Sequence, residues 1–466
     1  MVSRLNTENI ETRPTARREL KRWARLAVLA LALAGLFALL LAVSRIPGSE
    51  NIIAWPTAFF RKALVIHVIF AFVVWFLAVF AALCLLMAEA LGGGRARAAF
   101  LGGPAVMLAT CGFILLLIPA LLDRGAPSLN NYIPVITDPL YYTGLGILAA
   151  GLLLAVLRLW ASAIGSRAWA LPPAVAVIGA SVIFVMALIS AVLAWNALDN
   201  RAPDHAYNED LTWGVGHVLQ FLNATLLIGA WQMLAQATVG RSLMPPALFQ
   251  AAIALLVASG MVGPFLYFAF EPFSTAHRDA FTLLQYAMAP STTLAAIGLG
   301  AAILAQRRES HLPWDDPGFL CLFLSPLVFL VGGFMGLFVD GADTRTPAHY
   351  HAVIAGVMLA FFGLFYRLIL PRLGQDVGSG WAMRAQVWLF GIGQTMASIG
   401  LFWAGSSGAA RKIAGEAQGL EGIAQIGGLW MNGVGGIIAV AGGLMFTWTA
   451  GRALVHKGPH KSRDDT

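Results

Sequence analysis

Charge is scarce in this 466-residue chain: 11% of its residues are Asp, Glu, Lys or Arg, and 59% are hydrophobic. Soluble domains carry about 25% charged residues, so an ordinary water-soluble globular protein is excluded. Cysteine is nearly absent as well. Cys84, Cys111 and Cys321 all fall inside apolar stretches, with no plausible disulfide pairing and no C-x-x-C-H signature for covalent haem attachment. They read as small buried hydrophobes. No long soluble domain, low-complexity tract or internal repeat is visible. No small-residue cleavage site follows the first apolar run, which therefore reads as a retained helix rather than a signal peptide.

What is present is a series of about twelve apolar segments, at roughly 26–46, 63–89, 100–122, 139–160, 169–197, 211–235, 246–270, 281–305, 317–339, 347–370, 382–404 and 422–450. Each has the ~20 residues needed to cross about 30 Å of hydrocarbon. The expected fold is an all-α polytopic membrane protein of twelve transmembrane helices. It divides into a cytoplasmic basic segment (1–25), a membrane domain (26–455) and a cytoplasmic tail (456–466). The net charge of +7 does not signal nucleic acid. With the N-terminus placed inside, 21 of the 30 Lys and Arg fall on the inner side, which is the positive-inside bias. Both termini are then cytoplasmic, and lipid is the surrounding partner.

That orientation gives the histidines meaning. His67 on helix 2, His217 at the start of helix 6, His277 just past helix 7, and His349 and His351 at the start of helix 10 all share the outer third of the membrane. His205, His311, His456 and His460 lie in loops or the tail and read as solvated. Ionisable side chains within a bilayer are costly and usually mark function. Neutral imidazole is a ligand for haem iron, copper, zinc and non-haem iron, and acids near these five are few. A metal-binding cluster is the better reading than a carboxylate–histidine proton relay. Helix geometry adds a constraint: positions 349 and 351 are about 200° apart around the helix, so the pair serves two different centres.

The motifs "WGVGH" (213–217), "STAHRDAFT" (274–282) and "DTRTPAHYH" (343–351) resemble those of the catalytic subunit of the haem-copper oxidase superfamily, and the resemblance covers essentially the whole chain. It implies two haems of b type and one distal metal, Fe or Cu. His67 and His351 would be the axial ligands of the low-spin haem, His349 the proximal ligand of the high-spin haem, and His217 and His277 ligands of the distal metal. Arg411 and Lys412, in the loop before the last helix, would hold haem propionates. Their plainer role is that of an ordinary solvated loop.

The departures from the family pattern bear on the reaction. Oxygen reductases carry a second histidine after the one matching His277; here Arg278 follows, and a permanently protonated guanidinium is a poor ligand. Asp279 is the nearest replacement, a harder donor that favours iron, although it could simply pair with Arg278 or Arg345. The tyrosine that oxygen reductases place four residues after the helix-6 histidine is Phe221, and no tyrosine lies within a turn of His277. Leu219 stands where pumping members have glutamate. Nitric oxide reductases need neither group. The resemblance is therefore strongest to a nitric oxide reductase branch with an aspartate in the distal site, with Glu271 and Asp279 carrying protons from outside. An oxygen-reducing cytochrome c or quinol oxidase is the alternative, and a non-catalytic dihaem electron-transfer protein is a further one. With no electron-transfer domain of its own, the chain would take electrons from a cytochrome c or a cupredoxin-type (CuA) subunit II. The expected location is a bacterial inner membrane, with the haems near the periplasmic side.

Overall fold

Among the described residues of the computed structural model, twelve helices are long and apolar enough to cross a membrane. The structure describes residues 13–44, 46, 57–94, 96–339, 341–375, 378–413 and 419–456, with the side chains of 57–59 excluded. The first twelve residues of the basic leader and tail residues 457–466, His460 among them, lie outside the described residues. The spans are α1 (Pro14–Ser44), α2 (Phe60–Leu91), α3 (Ala99–Leu121), α4 (Pro139–Ala163), α5 (Pro172–Leu198), α6 (His205–Val239), α7 (Pro246–Ala269), α8 (Thr275–Glu309), α9 (Pro317–Gly336), α10 (Arg345–Arg372), α11 (Trp381–Ser406) and α12 (Ile423–Val455). In lipid every backbone polar group must be satisfied within the segment, which is why apolar sequence of this length becomes helix.

Two boundaries differ from the sequence expectation. α1 begins at Pro14 rather than near residue 26, so Arg17, Arg18, Lys21, Arg22 and Arg25 ride on the helix itself. α8 begins at Thr275 rather than near 281, so His277 sits in the first turn of a helix instead of a loop. The cause is local. Ser274 caps that helix, its hydroxyl accepting the His277 backbone N–H at 3.2 Å. Asp138, Asp204 and Asp316 cap α4, α6 and α9 in the same way, and Pro139 and Pro317 occupy a first-turn position, where no N–H is needed.

α2 to α8 form one compact unit; α1 and α9 to α12 form a second. Within the first, α3 packs on α4 and α5 on α6. A buried ion pair joins α2 to α4: Arg158 Nη2 lies 2.8 Å from Glu89 Oε1, with both side chains at most 4% exposed. The α3–α4 connection carries a short antiparallel hairpin, β1 (Ala126–Ser128) and β2 (Val135–Thr137), in the register Pro127 opposite Ile136. Within the second unit, α11 lies along α12 on glycine: a Cβ at Gly428 would come within 2.6 Å of the Ala404 backbone nitrogen. Small residues permit this approach, the usual means of helix association where the hydrophobic effect is weak. All three cysteines are free.

Candidate metal and haem centre

The first unit gathers two of the five histidines. His217 is 1% exposed on the N-terminal half of α6. Its Nδ1–H donates to the Trp213 carbonyl at 2.8 Å, which leaves Nε2 as the bare nitrogen. That is the arrangement of a metal-ligating imidazole, whose second nitrogen is usually fixed by a carbonyl or carboxylate. His277 is also 1% exposed, and its Nε2 is buried without a hydrogen-bond partner. Burying an unsatisfied polar atom is costly, and a metal would satisfy it. The Phe273 N–H lies 3.4 Å from Nδ1, too long to fix the tautomer of the ring. Both imidazoles pack on the Phe281 ring, at centroid distances of 5.6 and 5.1 Å.

Arg278 is engaged by a carboxylate. Its guanidinium joins the buried Asp210 and lies 5.7 Å from the centre of the Trp213 ring. Arg201 holds the other oxygen of Asp210 at 2.9 Å. Asp210, which no motif marks, is thus the carboxylate that occupies Arg278. Asp279 does not share the buried face of His277. On a regular helix position 279 lies about 200° from position 277, and Asp279 is exposed while His277 is buried. Among the described residues no three His, Cys, Asp or Glu are placed to share a metal. Glu271, between α7 and α8, is exposed too.

A tyrosine is present after all. Tyr132, from the α3–α4 hairpin, donates its hydroxyl to His217 Nε2 at 2.9 Å, and its ring lies 4.5 Å from the imidazole centre. Tyr267 from α7 stands edge-on to His277 at 4.6 Å. Tyr132 is 85 residues from its histidine, and Tyr267 precedes His277 by ten residues, on a different helix. The readable trace was the pair of glycines in "WGVGH": a Cβ at Gly216 would enter the Tyr132 ring, and one at Gly214 would lie 2.9 Å from Phe281.

His67, half-buried, is in the same unit on α2, directly before a six-residue stretch of π-helix, Ile69–Val74. π-helical turns are frequent at functional sites. The second unit holds His349 and His351 in the first turns of α10, both half-buried. His349 Nδ1–H donates to the Gly332 carbonyl at 2.7 Å, which again presents Nε2 as the free lone pair. Tyr350 and His351 stack at 5.3 Å. Arg411 and Lys412 are half-buried, and Lys412 takes a left-handed φ of 64°. Nearby, Arg345 grips Asp343 through Nε and Nη2, at 2.9 and 2.6 Å from Oδ2. Asp343 pairs across a single β-bridge with Ala410.

The Cytochrome C and Quinol oxidase polypeptide I family matches residues 20–438. The chain belongs to that family. An uncharacterized protein of Aquifex aeolicus is 30% identical over 358 residues, 76% of this chain and 84% of its own length. An uncharacterized Rickettsia prowazekii protein is 23% identical over 93% of this chain and 95% of its own. Cytochrome c oxidase subunit 1 of Thermus thermophilus is 24% identical over 64% of this chain and 59% of its own. In fold, a heme-copper terminal oxidase dimer solved by cryo-EM superposes with a TM-score of 0.82 at 15% identity, covering 97% of this chain and 86% of that one.

Family membership makes the chain a multi-pass membrane oxidoreductase of the haem-copper type and implies two haems with a distal metal. The residues present fit that set on three counts. Two imidazoles, His217 and His349, have their Nδ1 anchored to backbone carbonyls, and the third, His277, carries an orphaned buried nitrogen.

Proposed function

We propose that this chain is the catalytic subunit of a terminal reductase that converts two NO, two electrons and two protons to N2O and water. The observation that carries the reading is Arg278. Its guanidinium is committed to Asp210, so the position that would supply a second α8 imidazole is withdrawn from the distal centre. Inward of His217, α6 presents Leu219 and Phe221, both buried, and so offers neither the acid nor the phenol of oxygen-reducing relatives.

In this reading His67 and His351 hold the low-spin haem and His349 the high-spin haem. His217 and His277 hold the distal metal, and Arg411 and Lys412 hold propionates. When bound, the haems and metal accept electrons and bind the gas. The protein's part is to fix the tautomers of His217 and His349, to line the site with Trp213, Phe281 and Tyr267, and to bring protons. Exposed Glu271 and Asp279 stand where protons enter from the periplasmic side of a bacterial inner membrane. A cytochrome c or a cupredoxin-type subunit is the electron donor.

Tyr132 favours a second reading, reduction of O2, because a phenol against the distal imidazole can supply an electron and a proton. Product analysis of the purified protein separates the two. N2O formed from NO, with slow O2 consumption, supports the first; rapid O2 consumption with little N2O establishes the second. Metal analysis showing two haems and no third metal would refute both.

A further inference from the structure

The tip of the α3–α4 hairpin is built with unusual care around Tyr132. The Ile133 N–H donates to the Asn131 carbonyl at 2.8 Å, closing a three-residue γ-turn on Tyr132 with its φ at 63°. A γ-turn with a positive central φ is rare and strained for any residue other than glycine. Such strain persists only where the surroundings impose it, and it clusters at functional sites. The surroundings here are explicit. Asn131 places its backbone N–H and its side-chain amide on the two oxygens of Glu209, at 2.8 and 2.6 Å. Asn130 reaches Thr212 Oγ1 at 2.8 Å and the Ile133 carbonyl at 2.5 Å. Glu209 and Thr212 are on α6, so the hairpin is fixed in register with His217 on the same helix. Gly216 leaves the space that the Tyr132 ring fills.

We propose that the Tyr132 oxygen is a further ligand of the distal metal, beside His217. The inference rests on the reading of His217 and His277 as distal ligands. Its geometric basis is the 2.9 Å between Tyr132 Oη and His217 Nε2. Two donor atoms bound at about 2.0–2.1 Å, at angles between square and tetrahedral, lie about 2.8–3.4 Å apart. The observed separation is therefore that of adjacent ligands on one ion as well as that of a hydrogen bond. Coordination releases the phenol proton, as it does for any ligand that binds deprotonated. Two imidazoles and a phenolate oxygen form a harder donor set than three imidazoles, one that suits iron better than Cu(I).

The test uses full-length protein purified in detergent. Tyr132→Phe keeps the ring and removes only the oxygen. Both haems should remain at wild-type level, while the distal metal retained per chain after dialysis against a chelator falls at least tenfold. Oxidised wild-type protein should show a phenolate-to-metal charge-transfer band whose resonance Raman lines shift when the protein is grown on ring-deuterated tyrosine. Tyr132→Phe should lose the band, and Tyr132→His should regain metal without it. A Tyr132→Phe protein with wild-type distal metal, or a wild-type protein with distal metal but no phenolate lines, overturns the proposal. The second of these needs no variant to fold. Wild-type protein with no third metal fails the distal-centre reading itself, a separate outcome from failure of the tyrosine.

Discussion

Gly336→Ala tests the position of His349 with the smallest possible change. A Cβ at Gly336 would stand 2.7 Å from Nδ1 and 2.8 Å from Cε1 of the His349 ring. Ordinary contact begins near 3.5 Å, so the ring must retreat by about 0.7–1 Å. The bond from Nδ1–H to the Gly332 carbonyl, 2.7 Å long, does not survive such a shift. Its loss costs about 1 kcal/mol, and overpacking adds about 1–3 kcal/mol. Loss of the group that orients a metal ligand typically weakens the site about 10–100-fold. The variant should therefore purify with the low-spin haem intact and the high-spin haem depleted or converted, read by haem per chain and by the high-spin optical and EPR signals. Gly333→Ala is the control, because its Cβ would meet nothing within 4 Å. Equal high-spin haem in the two variants would show that His349 does not carry that haem from this face.

Three further outcomes follow from contacts elsewhere. Glu89→Gln removes the carboxylate opposite buried Arg158; breaking a buried pair on one side costs about 3–5 kcal/mol, so the thermal midpoint in detergent should fall by several degrees. Haem spectra at low temperature should stay unchanged. Asp279→Asn, on the exposed face of α8, should leave distal-metal content at the wild-type level; a variant lacking that metal would restore Asp279 as a ligand. Glu271→Gln should lower NO turnover while the haem spectra stay intact, and unchanged turnover would remove Glu271 from the proton path.

The membrane fold was legible because its signal is local and repeated. Twelve apolar runs are expected and twelve spans are present among the described residues, with differences confined to ends such as the start of α1, where basic side chains continue the helix. The family was legible because its histidine motifs are short. What escaped was everything that depends on distant segments. Tyr132 and His217 are 85 residues apart in sequence, and Arg278 and Asp210 are 68 apart. No spacing rule joins either pair.

The place of Asp279 depends on a local detail. The constraint that separated His349 from His351, about 200° between residues two apart on a helix, applies equally to His277 and Asp279 once both are helical. In a loop the rule has no force. Ser274 decides the matter: its hydroxyl on the His277 N–H starts α8 at Thr275 and sends Asp279 to the far face. The cap therefore does more than end a loop. It fixes which side chains share the buried face of α8 with His277, while the proposed tyrosine donor comes from a separate hairpin, where Tyr132 is held against His217.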